Sequence, residues 1–414
     1  MDVGFRSVGT IILTLISLAA CSPKTTTSVF NEADYGSQAA CAGKALQNRY
    51  IVQWEDGHFT VETATTVDKF KKDFLEPNLK NVRKVEYDRV VQFERNTDIV
   101  KLADVDPTDY WGQDMIEASS VWGENVFGQN IKVGVIDSFV DTTHPQLWSN
   151  IDYNTAEIPG NGIDDDKNGY IDDYAGFTFI SNPGTGTAVS DHGTHVAGII
   201  AADSTKGYVK GMAPQAKIVP APFIDGENGG SIGDAILALQ YVSTRGVKII
   251  NASWGGAPCM QSLQNAFVEL NNKGILVVVA AGNEGTDLDY SPDYPAAFNM
   301  ANQITVAAGT PSDMMVHWSN SGFHLVHLAA PGVDILSTIT NKRVGYMSGT
   351  SMAAPFVTGA AALLWSDRPQ ATAVEVKTAL LRSVDVDPAR QYKVQTLGRL
   401  NVRKALEELR KLVP

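Results

Sequence analysis

The chain has 414 residues, a formal net charge of −13 and three cysteines. No cluster of lysine or arginine stands out, so the composition argues against a protein that binds nucleic acid. Three cysteines are too few for a disulfide framework, and the length suits a catalytic domain of about 300 residues plus a smaller unit.

The N-terminal residues have the pattern of a bacterial lipoprotein signal. Residues 10–20, TIILTLISLAA, are apolar, follow a short segment carrying Arg6 and are too few to span a bilayer comfortably. The run ends in Leu-Ala-Ala-Cys, so we expect residues 1–20 to be removed and Cys21 to be lipidated. An ordinary secretory signal that contains a cysteine is the alternative. The pattern predicts a lipid-anchored precursor in the bacterial cell envelope.

A polar tether and a small folded unit follow this signal. Residues 21–48 are rich in serine and threonine, whereas residues 49–95 contain short strand and helix patterns. These patterns predict a βαββ unit, which is small for independent stability, and residues 96–108 are predicted to be a linker. Whether Cys41 and Cys259 pair is left open. The predicted elements are strands at Tyr50–Trp54, Val82–Tyr87 and Val90–Phe93 and a helix at Thr66–Phe74.

From residue 109 to residue 414, apolar runs alternate with helical patterns. This alternation predicts an α/β fold, a three-layer, mostly parallel sheet flanked by helices, with functional loops at the carboxyl ends of its strands. The small α+β unit precedes it. The predicted strands are Ile131–Ile136, Ile218–Phe223, Val247–Ala252, Ile275–Ala280 and Ile304–Ala308, and the predicted helices are Gly193–Ala202, Ser231–Thr244, Met260–Asn272, Thr350–Trp365, Ala373–Arg382 and Asn401–Leu412.

An acidic loop, residues 162–173, has the spacing that opens an EF-hand calcium loop. Counted from Asp164 as the first ligand position, the twelfth position, where an EF-hand has a bidentate glutamate, is Ala175. An aspartate at 172 or 173 would therefore have to complete the coordination shell. We expect a structural calcium site, and a solvated acidic surface loop is the alternative. The candidate ligands are Asp164, Asp166, Asn168, Tyr170 (through its carbonyl) and Asp172.

Three segments, far apart but in a fixed order, carry an acid, an imidazole and a hydroxyl. They are VGVIDS with Asp137, DHGTHVAG with His192 and GTSMAAP with Ser351. A serine hydroxyl is a weak nucleophile, so a base must take its proton and a carboxylate must orient that base. Asp, then His, then Ser is one of the few known orders of this triad. The sequence predicts a serine endopeptidase.

These segments resemble those of the subtilisin-like serine proteases, the subtilases, and the resemblance covers residues 109–405. The strings HGTHVAG and GTSMAAP are among the most specific of that family. The resemblance implies hydrolysis of peptide bonds through an acyl-enzyme intermediate. It also implies that the side-chain amide of Asn283 and the backbone N–H of Ser351, at the start of a predicted helix, stabilise the oxyanion.

The resemblance further implies a strand edge to which an extended substrate pairs, followed by a pocket for the side chain before the scissile bond. The edge is Ser253–Gly256, and Ala280-Ala281-Gly282 forms the facing wall. Trp254 replaces a smaller aliphatic residue common in the family, so the preferred substrate residue is left open. The candidate substrate-binding residues are Ser253, Trp254, Gly255, Ala281 and Gly282.

One departure from the family pattern, one rival acid and one metal alternative concern the triad. Phe139 stands where the family usually has glycine, and it would be strained if that position needs a positive φ. Asp141, in a turn, is a rival for the role of Asp137. His195 lies three residues after His192 and could share a zinc ion with it, but no third ligand pattern accompanies the pair, so we expect a structural role.

The small unit weakly resembles the inhibitory prodomain of subtilases, and an interaction or adaptor module is the alternative. A maturation cut in residues 96–108 would separate the anchor from the catalytic domain, so we expect an anchored zymogen that yields a soluble, self-matured enzyme. Its expected partners are polypeptide substrates and, before maturation, the membrane, and we expect a monomer. Rival functions are an inactive subtilase that binds peptides, or an esterase or amidase, although the Gly-x-Ser-x-Gly elbow is absent.

Overall fold

A computed structural model describes residues 24–31, 44–91, 106, 109–181, 191–225, 229–391 and 393–414. The predicted signal, Cys21, Cys41 and the linker apart from residue 106 lie outside the described residues. Lipidation of Cys21 and the position of the cut therefore stay predictions. Among the described residues, no helix is both long enough and apolar enough to cross a membrane.

Numbered along the chain, the strands are β1 Ala45–Trp54, β2 Phe59–Thr63, β3 Val82–Val91, β4 Lys132–Val135, β5 Lys217–Pro220, β6 Gly230–Ser231, β7 Ile249–Ala252, β8 Leu276–Ala280, β9 Gln303–Gly309, β10 Leu328–Pro331, β11 Ile335–Ile339, β12 Arg343–Met347, β13 Asp385–Val386 and β14 Gly398–Arg399. The α-helices are α1 Thr26–Val29, α2 Val67–Lys69, α3 Glu76–Asn78, α4 Trp111–Met115, α5 Ala118–Trp122, α6 His192–Ala201, α7 Ile232–Thr244, α8 Gln261–Asn272, α9 Thr350–Asp367, α10 Ala373–Arg382 and α11 Val402–Leu412. A π-helical stretch, Phe70–Leu75, joins α2 and α3 into one helical segment.

A sheet of eight strands, in the order β13-β14-β10-β9-β8-β7-β4-β5, forms the centre of the larger domain. Every neighbouring pair is parallel except β13–β14. Alternate residues of β8 pack into two different cores: Leu276 and Val278 belong to the core that includes α6 and α9, and Val277 and Val279 to the core that includes α7 and α8. The predicted three-layer α/β fold is confirmed.

The sequence patterns missed the strands that follow β9. Strand β10 extends the parallel sheet, while β11 and β12 form a separate antiparallel hairpin packed against α6. These strands have only four or five residues each, which is too short for a periodic pattern to distinguish a strand from a loop. The hairpin matters for the site because it lies against the helix that begins with His192.

The small unit is ββαβ, not the predicted βαββ. Strand β2 was missed, and the two strands predicted between 82 and 93 are one strand, β3, over the part that is described. Asp88 and Arg89, which lie between the two predicted strands, are both buried within β3. Asp88 is compensated there by contacts with the larger domain, which a local pattern cannot reveal.

The predicted tether is partly folded onto this unit. Phe30, directly after α1, is 3% exposed and packs edge-on against Tyr50 and Phe70, with ring centroids 5.7 Å away in each case. Because aromatic pairs bury large apolar areas, this short segment extends a core that would otherwise be small.

Two acidic residues of β3 hold the small unit on the larger domain. Ser262, in the first turn of α8, donates its N–H to Glu86 Oε2 at 2.7 Å. Gly233, in the first turn of α7, donates its N–H to Asp88 Oδ1 at 2.8 Å. Residues 86 and 88 share one face of β3, so this strand supplies one carboxylate to each of two helix N-termini, where negative charge is favourable. The end of β3 then pairs antiparallel with β6.

Candidate active site

Asp137 and His192 form a buried pair at the carboxyl edge of the sheet. Asp137 lies two residues after β4, and His192 is the first residue of α6. Asp137 Oδ1 lies 2.7 Å from His192 Nδ1 and also accepts the N–H of Ser138 at 2.7 Å. The side chains are 0% and 4% exposed. A carboxylate on Nδ1 leaves Nε2 of the ring to act as the base.

Gly193 allows this close approach. A Cβ atom at Gly193 would lie 2.4 Å from the carbonyl oxygen of Ser138 and 2.8 Å from that of Phe139. Both are backbone atoms of the loop that carries Asp137, so they could not move aside cheaply. The absence of a side chain at Gly193 therefore lets the loop that carries Asp137 come close enough for Asp137 to contact His192.

The structure accounts for the departure at Phe139 and for the rival acid, Asp141. Phe139 is not among the described residues with positive φ, and its side chain is 41% exposed, so the loop accepts it without backbone strain. Asp141, the rival acid, accepts the N–H and the hydroxyl of Thr143 at 3.0 and 2.7 Å, and so stabilises its own turn. Among the described contacts, Asp137 supplies the carboxylate that contacts the imidazole of His192.

His195 faces the β11–β12 hairpin. It is fully buried, and its Nε2 lies 2.9 Å from the carbonyl oxygen of Ile335 and 3.1 Å from that of Gly345. Burial lowers the pKa of His195 to about 3, so the ring is neutral and donates to these carbonyls. This arrangement is that of a structural histidine which ties α6 to the hairpin.

Ser351 is the second residue of α9 and lies beside the end of β7. Its hydroxyl donates to the carbonyl oxygen of Ser253 at 3.1 Å, and the hydroxyl of Ser253 donates to the carbonyl oxygen of Ser351 at 2.9 Å. Strand β7, which ends just before Ser253, is the parallel neighbour of β4, which leads to Asp137. Because parallel strands end at one edge, the acid, the base and the hydroxyl meet at one edge of the sheet.

Asn283 lies against the start of α9. Its Oδ1 accepts the N–H and the hydroxyl of Thr350, at 2.9 and 3.0 Å. These two bonds fix the orientation of the side-chain amide and do not use its Nδ2 as a donor. A methyl group on Gly349 would lie 3.6 Å from Ser351 N and 3.8 Å from Asn283 Nδ2. Two N–H donors therefore border one small space at a helix N-terminus, the arrangement that stabilises an oxyanion.

A pocket opens next to Ser351. Trp254 lies in its wall, 3% exposed and edge-on to Phe223, with its Nε1 unpartnered among the described residues. Ala281, predicted to bind substrate, instead packs in the core with α7 and α8, while Ala280 lines the pocket, because successive residues of an extended chain face opposite sides. The lining residues are Ser253, Trp254, Gly255, Gly256, Ala280, Gly282, Asn283, Glu284, Asp293, Thr350 and Ser351.

The acidic loop holds a carboxylate cluster that differs from the predicted ligand set. Carboxylate oxygens of Glu157, Asp164 and Asp166 lie within 4.8 Å of one another, a donor set that suits calcium. Asp172 was predicted to be a ligand, but it accepts the N–H groups of residues 160, 161 and 162 at 2.8 to 3.1 Å and so stabilises the loop. The sequence reasoning missed Glu157, which lies outside the EF-hand-like spacing.

The other predicted ligands of this loop have local partners. Asn168 Oδ1 accepts the N–H of Tyr170 at 2.8 Å, and its Nδ2 lies 3.1 Å from Asp166 Oδ2. The ring of Tyr170 packs edge-on against Tyr241. Asn168 thus contacts one member of the carboxylate cluster, and a calcium contact through the carbonyl of Tyr170 stays a prediction.

Cys259, three residues after Gly256, is in a disulfide bond. Its partner lies outside the described residues. The other two cysteines of the chain, Cys21 and Cys41, both lie there.

Comparison with known proteins agrees with this geometry. Residues 128–404 match the subtilase family. The chain is similar to the major intracellular serine protease of Bacillus subtilis (strain 168), with 38% identity over 261 residues, covering 62% of this chain and 74% of that protein. It is similar to the thermophilic serine proteinase of Bacillus sp. (strain AK1), with 36% identity over 255 residues, covering 61% and 56%. It is also 36% identical to subtilisin-like protease 2 of Plasmodium falciparum (isolate 3D7) over 264 residues, covering 62% and 19%. The chain thus spans less than two thirds of the latter two relatives.

Proposed function

Because the chain belongs to the subtilase family of serine endopeptidases, we propose that it hydrolyses polypeptides through Asp137, His192 and Ser351. The observation that carries the proposal is the 2.7 Å contact between Asp137 Oδ1 and His192 Nδ1. It lies at the sheet edge where Ser351 and the two N–H donors are also found. The strand edge beside Ser253 suits an extended peptide, which favours a peptidase over an esterase with the same triad.

The mechanism follows from these positions. The Ser351 hydroxyl exchanges its bond to Ser253 for one to His192 Nε2, which takes the proton as the serine oxygen attacks the peptide carbonyl carbon. Asp137 orients the imidazole and stabilises its positive charge. Asn283 Nδ2 and the N–H of Ser351 stabilise the oxyanion. His192 then gives its proton to the leaving amine, and a water molecule, deprotonated by His192, hydrolyses the acyl-enzyme and frees Ser351.

The test is active-site labelling with intact-mass analysis. The chain and its Ser351→Ala variant are expressed in full and treated with a fluorophosphonate probe, which reacts with an activated serine. We expect one label on the wild type, none on the variant, and, once the disulfide has been reduced, loss of about the first hundred residues in the wild type alone. Folded wild-type protein that stays unlabelled would contradict the proposal.

In this proposal the small unit, residues 44–91, is an inhibitory prodomain. Support comes from the contacts of Glu86 and Asp88 with the two helix N-termini and from the pairing of β3 with β6. If the unit inhibits, hydrolysis of a peptide should begin only when the chain has been cut after this unit. An uncut chain as active as the cut one would show that the unit is an adaptor instead.

Release from the membrane then requires two events. Cys21 and Cys41 are the candidate partners of Cys259, and both precede the linker, residues 96–108. A cut in the linker therefore leaves the catalytic domain joined to the N-terminal segment until the disulfide is reduced. If Cys21 is lipidated, Cys41 is the partner, and the cut enzyme stays anchored under oxidising conditions.

Gel electrophoresis with and without a reductant tests this order of events. Matured wild-type protein should migrate as one full-size species without reductant and as two fragments with it, whereas Cys259→Ser should give two fragments in both cases. Separate fragments of the wild type without reductant would contradict the two-step release.

As a last part of the proposal, the carboxylate cluster of the acidic loop binds a structural calcium ion. Glu157, Asp164 and Asp166 would hold the ion, which supplies positive charge where three carboxylates otherwise repel one another. The ion takes no part in the hydrolysis. Its expected effect is on stability alone.

A further inference from the structure

The pocket beside Ser351 contains two carboxylates and no basic side chain among the described residues that line it. The carboxylates belong to Asp293 and Glu284. Most of the other lining residues are small, and they include Gly255, Gly256 and Gly282. No sequence motif marks Asp293, which lies in the connecting segment after Asn283.

Asp293 lies in the wall itself. Its segment pairs with the substrate edge through a bridge between Ala257 and Tyr294. Both of its carboxylate oxygens accept the N–H of Gly256, at 3.1 and 3.0 Å. A Cβ atom on Gly255 would lie 2.6 Å from Asp293 Oδ2, so this carboxylate stands directly against the backbone that forms the pocket. Within the described residues, Asp293 makes no ion pair with a lysine, arginine or histidine.

Glu284 is the second carboxylate that lines the pocket. It follows Asn283 in the chain, it is exposed, and its Oε2 accepts a hydrogen bond from the side-chain amide of Asn320. A Cβ atom on Gly282 would lie 2.7 Å from Glu284 Oε2. Burial, with a smaller contribution from the charge of Glu284, raises the pKa of Asp293 to about 6, whereas the N–H groups of Gly256 and Tyr294 oppose that shift.

We infer that this pocket selects a lysine or arginine immediately before the scissile bond, with Asp293 as the main determinant and Glu284 as the second. The inference rests on the proposed function, since it assigns a substrate class to the same site. A half-buried carboxylate without a cationic partner is unfavourable, and a basic substrate side chain supplies the missing charge. The indole of Trp254 offers an apolar surface for the methylene stem of that side chain.

The test uses two quenched fluorogenic peptides that differ at one position, with lysine or norleucine before the scissile bond. Norleucine has the same unbranched stem without the charge, so the ratio of the two kcat/KM values measures the contribution of the charge. The ratio is determined for the matured enzyme and for Asp293→Asn, Glu284→Gln and Glu407→Gln. The last variant removes one negative charge from an exposed position on α11 and serves as the control.

We expect the wild type to prefer lysine by about 10-fold or more, because hydrogen bonds to charged groups are among the stronger ones. Asp293→Asn keeps an acceptor for Gly256 and should remove most of that preference. Glu284→Gln should lower it only a few-fold, since water screens an exposed carboxylate. Glu407→Gln should leave it unchanged.

In the wild type the ratio should also rise between about pH 5 and 7.5, as Asp293 ionises with a pKa of about 6. An effect of pH on the catalytic steps common to both peptides cancels in the ratio. This measurement needs no variant, so it and Glu284→Gln decide the matter if Asp293→Asn does not fold.

A labelled wild-type enzyme that cleaves the norleucine peptide equally well or better would overturn the inference. So would a lysine preference that neither pocket variant reduces. A folded enzyme that the fluorophosphonate probe does not label would instead overturn the proposed function, and the inference with it.

Discussion

Replacing Asp88 by asparagine should weaken the docking of the small unit on the larger domain. Asp88 accepts the N–H of Gly233 at the start of α7 and is ion-paired with Arg49, which also binds Asp234 of that helix. The asparagine side chain would keep an acceptor for Gly233 but would lose the charge at the helix N-terminus and the pair with Arg49. The side chain of Asp88 is 0% exposed, so the loss is not screened by water.

The expected cost is about 2 kcal/mol, of the order found for a hydrogen bond to a charged group plus a helix-dipole contribution. Burial raises the pKa of Asp88 and the charge of Arg49 opposes that shift, so the penalty of burying the charge offsets part of the attraction to Arg49. The expected cost is therefore below that of a fully broken buried ion pair. Arg49 also retains Asp234 as a partner. A cost of about 2 kcal/mol corresponds to about a 30-fold change in the docking equilibrium.

The assay is hydrogen exchange on the full chain carrying Ser351→Ala, which removes the proposed nucleophile so that the small unit stays attached. The N–H groups of Gly233 and Ser262 report directly on the contacts with Asp88 and Glu86. We expect Asp88→Asn to speed exchange at Gly233 about 30-fold and to speed exchange across β3, with the core of the larger domain unaffected.

Asp73→Asn is the matched control, because Asp73 is exposed on the helical segment of the same unit. The reasoning is refuted if exchange at Gly233 is unchanged in Asp88→Asn, or if Asp73→Asn accelerates it equally.

Three further outcomes are expected. Burial lowers the pKa of His195 and of His327 to about 3, so below about pH 6.5 the unfolded chain binds more protons than the folded chain. Each histidine should therefore cost about 2 kcal/mol of stability at about pH 5. His327→Gln should flatten a plot of unfolding free energy against pH, and an unchanged slope would contradict this. Gly193→Ala should lower kcat/KM at least about 100-fold, because its methyl group would meet the Ser138 carbonyl and displace the Asp137 loop; activity within a few-fold of wild type would show that the loop can yield. Calcium should raise the melting temperature of the wild type but not of Asp164→Asn, and a wild-type melting temperature that neither calcium nor a chelator changes would refute the calcium site.

The sequence predicted the parts of the fold that local patterns encode. Apolar runs such as Leu276–Ala280 are buried on both faces, and helix α10 matches its predicted bounds because Thr372 and Glu375 form a capping box. The break predicted inside β3 was wrong because the partners of Asp88 lie in another part of the chain.

The same limit applies to the site. Asp137, His192, Ser351 and Asn283 stand in strings specific enough to be recognised, and the structure places them at one sheet edge. Asp293 has no such string. It enters the pocket because its segment pairs with Ala257, a contact between distant residues that only the folded chain reveals.

The burial of α6 has a consequence for how the enzyme loses activity. All ten residues of α6, including His192, are buried, and α9 beyond Ser351 is buried over most of its length. The proposed base and the proposed nucleophile are thus carried by elements that cannot separate without opening the main core. We therefore expect no separate melting transition at the proposed catalytic centre, so heat inactivation and global unfolding should follow the same temperature profile and the same rate.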